Sequence, residues 1–116
     1  AHYVFGMMDE TGHGISQDHV RAVEWFRKAA NQGHAVAQFG LGVMYKNGHG
    51  VSQDYVRAVE WYRKAANQGD AVAQFNLGVM YKNGHGVTKD DRLAVKFIRK
   101  AAKQGDKCAQ DFLSSM

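Results

Sequence analysis

The chain has 116 residues, of which 45% are hydrophobic and 22% charged, with a single cysteine and no proline. This length corresponds to one domain, and no apolar run approaches the ~18 residues that a membrane-spanning helix requires. One cysteine excludes an internal disulfide and leaves the compartment open: periplasmic, secreted or cytoplasmic. The net charge is +4, and the excess lies in residues 71–116, which carry eight Lys or Arg against four Asp or Glu.

The sequence repeats with a period of 36 residues. Residues 35–70 and 71–106 differ at only ten of 36 positions, and residues 1–34 form an earlier, more diverged copy. These segments are units 1, 2 and 3 in chain order. A repeat of this size is typical of a stacked array in which each unit buries its apolar face against its neighbours. The chain joins unit 1 two residues late, at Ala1, which we interpret as a processed or trimmed end. We expect either a single domain or a few repeats of a longer array.

Unit 1 is expected to contain a pair of helices joined by a glycine-rich turn at residues 12–14. Phe5 and Asp9 stand where the later units have Leu and Tyr. Trp25 in unit 1 and Trp61 in unit 2 are expected to be buried between helix pairs. If so, truncating Trp61 to Ala costs about 3–5 kcal/mol.

In unit 2, apolar and small residues recur at steps of three and four, which is the spacing of an amphipathic helix. They form two stripes, one on each of two antiparallel helices, and Val51 packs back on them from the turn. The predicted core is Ala37, Leu41, Gly42, Tyr45, Val51, Ala58, Trp61, Tyr62, Ala65 and Ala66. Stacking of such pairs predicts an all-α fold. We expect a right-handed α/α superhelix, or solenoid, of about three helix-pair repeats.

Unit 3 allows the helix ends to be predicted. The first helix is expected at about residues 71–83 and the second at roughly 91–103. Asn and Gly at residues 83–86 end the first helix, since both accept the positive φ of a C-terminal cap. Thr88 or Asp90 caps the second helix.

The pattern closely resembles the Sel-one-like repeat (SLR) family, a branch of the tetratricopeptide-type solenoids. In unit 2 the resemblance is carried by Ala37, Leu41, Gly42, Tyr45, Gly48, Gly50, Val51, Asp54, Ala58, Trp61, Lys64, Ala65, Ala66 and Gly69. It implies a superhelix that scaffolds protein–protein contacts, and the near-identical tandem units favour a bacterial source. A cysteine-rich branch of the family, linked to β-lactam binding or hydrolysis, joins its helices by disulfides that Cys108 alone cannot form.

After unit 3 the pattern weakens, because residues 107–116 lack the family's leucine–glycine pair and have Leu113 followed by Ser instead. We interpret this segment as a capping helix in which Phe112, Leu113 and Met116 cover unit 3. Residues 1–116 then form a single repeat domain.

The resemblance to tetratricopeptide-type arrays implies that the first helices line a concave groove. Aromatic and aliphatic side chains with lysine at one rim suit an extended peptide or a partner helix. Alternatively, the phenylalanines pack between adjacent units. The predicted groove residues are Tyr3, Met7, Glu10 and Thr11 in unit 1, Val36, Phe39, Val43, Lys46 and Asn47 in unit 2, and Val72, Phe75, Val79, Lys82 and Asn83 in unit 3.

The second helix of unit 3 carries a basic face formed by Arg92, Lys96, Arg99, Lys100 and Lys103. Such a face attracts an acidic protein surface, anionic lipid or nucleic acid. It lacks the interleaved aromatic residues that stack on bases, so no nucleic-acid partner is expected. The pattern favours a solvated outer face.

No catalytic residue, cofactor or metal site is predicted. The chain has no serine-based catalytic motif and no phosphate-binding loop. His13, His49 and His85 recur once per unit, but helix pairs stack roughly 10 Å apart. That separation is too large for three imidazoles to bind one metal at about 2.0–2.1 Å.

The main functional hypothesis is a non-enzymatic scaffold or adaptor that holds a protein or peptide in the concave groove. The sequence leaves three alternatives open. They are an immunity or envelope-associated protein that blocks a toxin or host partner, a β-lactam-interacting, hydrolase-like relative, and a spacer within a longer array. The oligomeric state is not predicted.

Overall fold

The fold is a series of helices, each of which contacts the next one along the chain. The computed structural model describes residues 17–115, and this part of the chain contains no strand. The first helix of unit 1 therefore lies outside the described residues. The predicted all-α repeat fold is confirmed. The helices are α1 (Gln17–Asn31), α2 (Ala35–Asn47), α3 (Tyr55–Asn67), α4 (Ala71–Asn83), α5 (Asp91–Lys103) and α6 (Lys107–Ser114).

Both helices of unit 3, α4 and α5, begin and end where the sequence predicts. Gly84 follows α4 with φ +70°, and its N–H donates to the carbonyl of Met80. The cap of α5 is Asp90, not Thr88, since Asp90 Oδ1 accepts from the N–H of Leu93 at 3.0 Å. Between residues 17 and 115, no helix is long and apolar enough to cross a bilayer.

In units 2 and 3 the core follows the contact between the first and second helix. Leu41, Leu77 and Ile98 are fully buried in it. A glycine brings the two helices close in both of these units. A Cβ at Gly42 would lie 2.8 Å from the Tyr62 ring, and one at Gly78 would lie 2.6 Å from Ile98 Cγ1. The close packing around Gly78 offsets its low helix propensity.

The prediction that both tryptophans are buried is wrong. Trp25 is 70% exposed, and Trp61 is half-buried, with Lys64 Nζ 4.6 Å from the ring centroid. The core position in α3 is the next residue, Tyr62, which is 1% exposed. One residue along a helix turns the side chain by about 100°, so the tryptophan lies at the edge of the core. The cost expected for truncating a buried Trp61 therefore does not apply. Val51, also predicted in the core, is half-buried.

A ladder of glutamine side chains joins adjacent units. Gln74 is buried, and its Nε2 donates to the carbonyl of Ala66 in the preceding unit at 3.3 Å. Its Oε1 accepts from Gln104 Nε2 at 2.9 Å. Gln38 makes the equivalent two bonds one unit earlier. The ladder was not predicted from the sequence, because glutamine is usually a surface residue.

Candidate partner-binding faces

The predicted groove residues of α2 and α4 occupy the same positions on two consecutive first helices. We call these ten residues the groove face. The four residues of unit 1 predicted for the same face, Tyr3, Met7, Glu10 and Thr11, lie outside the described residues. The groove face comprises Val36, Phe39, Val43, Lys46 and Asn47 on α2, and Val72, Phe75, Val79, Lys82 and Asn83 on α4.

The first turns of α2 and α4 expose aliphatic side chains. Val36 is 73% exposed and Val72 is 46% exposed. One to two turns further along, Val43 and Val79 are half-buried. The asparagines at the ends of both helices are exposed. The groove face therefore offers accessible apolar surface at one end of each helix and polar side chains at the other.

The two phenylalanines of the groove face also pack against other helices. Phe39 stacks on Tyr62 of α3, with ring centroids 5.5 Å apart and an angle of 28°. Phe75 meets Phe112 of α6 edge to face at 6.4 Å and 75°. Both are half-buried. Part of each ring thus belongs to the core, as the packing alternative expected, and the remainder faces outward.

The two lysines of the groove face have different surroundings. Lys82 is exposed, and its Nζ lies 5.6 Å from the Phe112 ring centroid. This cation–π contact holds the charge beside the aromatic pair of Phe75 and Phe112. Lys46 is half-buried, and its carbonyl oxygen accepts from Gln53 Nε2 at 2.8 Å.

A cleft of about 580 Å³ lies between α1 and α2. Its walls include Trp25, Phe26, Phe39 and Val43. In unit 2 the matching surface of α3 lies against the first helix of its own unit, since Gly42 of α2 packs on the ring of Tyr62. Phe39 and Val43 therefore belong both to the groove face and to this cleft.

The predicted basic face lies on α5, and all five of its cationic residues are exposed. Lys100 Nζ lies 5.8 Å from the centroid of Phe97. Among the described residues, no carboxylate forms an ion pair with the basic face. The ion pair that these residues do contain, between Arg57 and Asp54, lies in unit 2. The charges of the basic face are therefore available to a partner.

The turn histidines pack against the preceding unit. His49 stacks on His19 at 5.0 Å, and His85 stacks on Tyr55 at 4.8 Å, with nearly parallel rings in both pairs. His13 lies outside the described residues. Residues 17–115 contain no group of three His, Cys, Asp or Glu that could hold a metal ion. The stacking partner lies 30 residues upstream, so only the repeat register could have revealed it.

Burial raises the pKa of the Tyr62 hydroxyl. Its hydroxyl is buried, and no hydrogen-bond partner for it lies among the described residues. Burial disfavours the phenolate and raises the pKa of Tyr62 to about 12 from an ordinary value of 10. The hydroxyl is out of contact with solvent, so it is part of the core and not of either face.

Three solved bacterial structures are similar to this chain over most of its length. A protective antigen of uropathogenic Escherichia coli displaying an SLR fold is 42% identical, with a TM-score of 0.84 over 99% of this chain and 25% of that one. A Sel1 repeat protein from Oxalobacter formigenes is 40% identical, with a TM-score of 0.77 over 93% of this chain and 44% of that one. Cysteine-rich protein B of Helicobacter pylori is 30% identical, with a TM-score of 0.74 over 78% of this chain and 68% of that one.

The chain thus spans about a quarter of the Escherichia coli protein. No curated protein matches the chain. The model of the Sel1 repeat family matches residues 1–34, 35–70 and 71–106, which are the three units read from the sequence. Proteins with these repeats are generally non-enzymatic scaffolds for protein interactions. The chain belongs to the Sel1 repeat family.

Proposed function

We propose that this chain is a non-enzymatic scaffold that holds a protein or peptide partner on its groove face. The observation that supports this most is the recurrence of an exposed valine at the same position of consecutive first helices, Val36 and Val72. Beside them lie the outward parts of Phe39 and Phe75. Accessible apolar side chains flanked by polar ones are the surface that a peptide or partner helix buries on binding.

We further propose that the described helices belong to one continuous domain in which α6 is the cap. Phe112 and Leu113 of α6 pack against the core cluster that contains Ile98 and Ala101 of α5. Without α6 these side chains would lose their cover.

The experiment compares three immobilised proteins in capture from the source cells: the full chain, a Val36→Ser/Val72→Ser variant, and a Val56→Ser control. Val56 is 55% exposed, so the control removes a similar apolar side chain from α3 instead of the groove face. Phe75 is left unchanged, since replacing it would remove its contact with Phe112 and destabilise the fold.

A partner of the groove face is captured by the full chain and by the control, and its affinity for the double variant falls at least about tenfold, as expected when two valines lose their burial. Circular dichroism checks that all three proteins are folded. Equal affinity of the partner for the full chain and the double variant would contradict the proposal.

A further inference from the structure

The outer face of α5 carries more positive charge than the outer faces of the other second helices. Relative to unit 2, three positions change from Val56, Glu60 and Asn67 to Arg92, Lys96 and Lys103. In unit 1 the same positions hold the same residues as in unit 2, Val, Glu and Asn. Arg99 and Lys100 match an Arg–Lys pair present in every unit. Five cations therefore occupy the basic face, and Asp91, which replaces Tyr55 of unit 2, lies beside them at the start of α5.

This face stays open when another unit is stacked on the array. The counterparts of the five cations on α3 are all exposed, although unit 3 packs against unit 2. One of them, Arg63, donates to the Tyr81 hydroxyl of the next unit at 2.7 Å. By register, Arg99 is the only cation of the basic face that a following unit would engage. The counterparts of the other four stay exposed beside a following unit, and Lys100 keeps its contact with Phe97 of its own helix.

The cations lie along one side of α5 at a regular spacing. Arg92, Lys96, Arg99 and Lys103 follow one another at steps of four, three and four residues. Such residues are neighbours on a helix surface. The row is about 16 Å long, at about 1.5 Å per residue. A second helix with carboxylates at the same steps matches it charge for charge.

We propose that the basic face binds an acidic helix of a protein partner. This surface is separate from the groove face and does not depend on it. A protein helix is favoured over nucleic acid because the aromatic residue nearest the cations, Phe97, is half-buried and stacks on Tyr81 instead of offering a platform for bases. It is favoured over a membrane because Val95, the apolar residue among the cations, is half-buried and cannot insert.

The first test uses two synthetic helical peptides of identical composition. In one, four glutamates follow the steps of four, three and four residues; in the other, they are spread around the helix. At about 0.15 M salt we expect the patterned peptide to bind at least fivefold more tightly. Equal affinity of the two peptides would overturn the proposal of helix docking.

The second test exchanges residues that the fold already accepts. One variant gives α5 the residues of α3 at three positions: Arg92→Val/Lys96→Glu/Lys103→Asn. We expect its affinity for the patterned peptide to fall about tenfold, since three charge pairs are lost. Val56→Arg/Glu60→Lys/Asn67→Lys gives α3 the residues of α5 and should create a second site. An unchanged affinity in the first variant, or no second site in the other, would count against the proposal.

The remaining arms separate the other anionic ligands. A duplex DNA oligonucleotide and vesicles containing phosphatidylserine are titrated under the same conditions. If the DNA or the vesicles bind more tightly than the patterned peptide, the ligand of the basic face is not an acidic helix. These outcomes do not affect the capture experiment on the groove face, so the two proposals fail independently.

Discussion

Tyr62 carries a hydroxyl group that its counterparts in the other units lack. Unit 1 has Phe26 at this position and unit 3 has Ile98. The hydroxyl is buried with no hydrogen-bond partner in the described part of the chain. An unsatisfied buried polar group costs about 1–3 kcal/mol. The second unit therefore contains a destabilising group that the repeat itself does not require.

We expect Tyr62→Phe to increase the free energy of unfolding by about 1–2 kcal/mol, because the ring keeps its contact with Phe39 while the unsatisfied group is removed. Urea unfolding measures this as a higher midpoint with an unchanged slope. Tyr81→Phe is the control. The Tyr81 hydroxyl accepts from Arg63 at 2.7 Å, so its removal should not stabilise. A destabilised Tyr62→Phe variant would mean that the hydroxyl has a partner.

The same hydroxyl predicts a loss of stability in alkali. The folded-state pKa of Tyr62, about 12, lies above its ordinary value of 10. Between these pH values the unfolded chain releases the proton while the folded chain retains it, so stability falls as pH rises. Below pH 10 this contribution is constant. We expect the parent to lose more stability than Tyr62→Phe between pH 10 and 12, measured by urea unfolding at each pH. Parallel pH curves would contradict the shift.

At the scale of elements, the turn inside each unit also contacts the unit before it. Gly50 has φ +78°, and a Cβ there would lie 2.4 Å from the carbonyl oxygen of His19 on α1. His49 stacks on the His19 ring next to it. In unit 3, Gly86 and His85 repeat this arrangement against Tyr55. The turn therefore holds two units together as well as joining two helices.

Two glycines separate backbone strain from this contact. Gly33 also has a positive φ, but no atom lies within 4 Å of the position of a Cβ there. We expect Gly33→Ala to lose about 1 kcal/mol through strain alone. Gly50→Ala should lose a further ~1–3 kcal/mol, since the methyl group overlaps the His19 carbonyl. Thermal unfolding of the two variants measures the difference, and equal losses would show that the turn does not press on α1.

The helices could be predicted from sequence, because Asn-Gly and Asp mark their ends locally. Contacts between units were less predictable. The Trp61 error came from a single step along α3, which separates the edge of the core from its centre. Gln74 reads as a surface residue until its partners in two helices are known. The groove face and the basic face remain predictions of binding, since the residues needed to test them belong to a partner.

At the scale of the whole molecule, each unit is held by its immediate neighbours, as in other solenoids. Gln74 contributes to this directly, since it bonds to Ala66 in unit 2 and to Gln104 in unit 3. Its amide is buried. Loss of this side chain would remove both hydrogen bonds, although the Ala66 carbonyl keeps its bond from the Gly69 N–H and Gln104 is exposed to water.

We expect Gln74→Leu to lower the free energy of unfolding by about 2 kcal/mol, because the buried side chain loses its two hydrogen bonds. Gln110→Leu is the matched control. Gln110 is exposed and donates to Ala102 at 3.1 Å, so its replacement should cost under about 1 kcal/mol. Urea unfolding compares the two. A loss at Gln110 as large as that at Gln74 would contradict a role for the buried ladder.

The glutamine ladder also has a direction, because each amide donates toward the N-terminus. Suppose that a duplicate of residues 71–106 is inserted after Asp106. The copy of Gln74 would then donate to the Ala102 carbonyl, and it would accept a hydrogen bond from the copy of Gln104. The array can therefore be lengthened, because an added unit would repeat the contacts that already join units 2 and 3. Each added unit should raise the melting temperature, by less each time, until further units no longer change it.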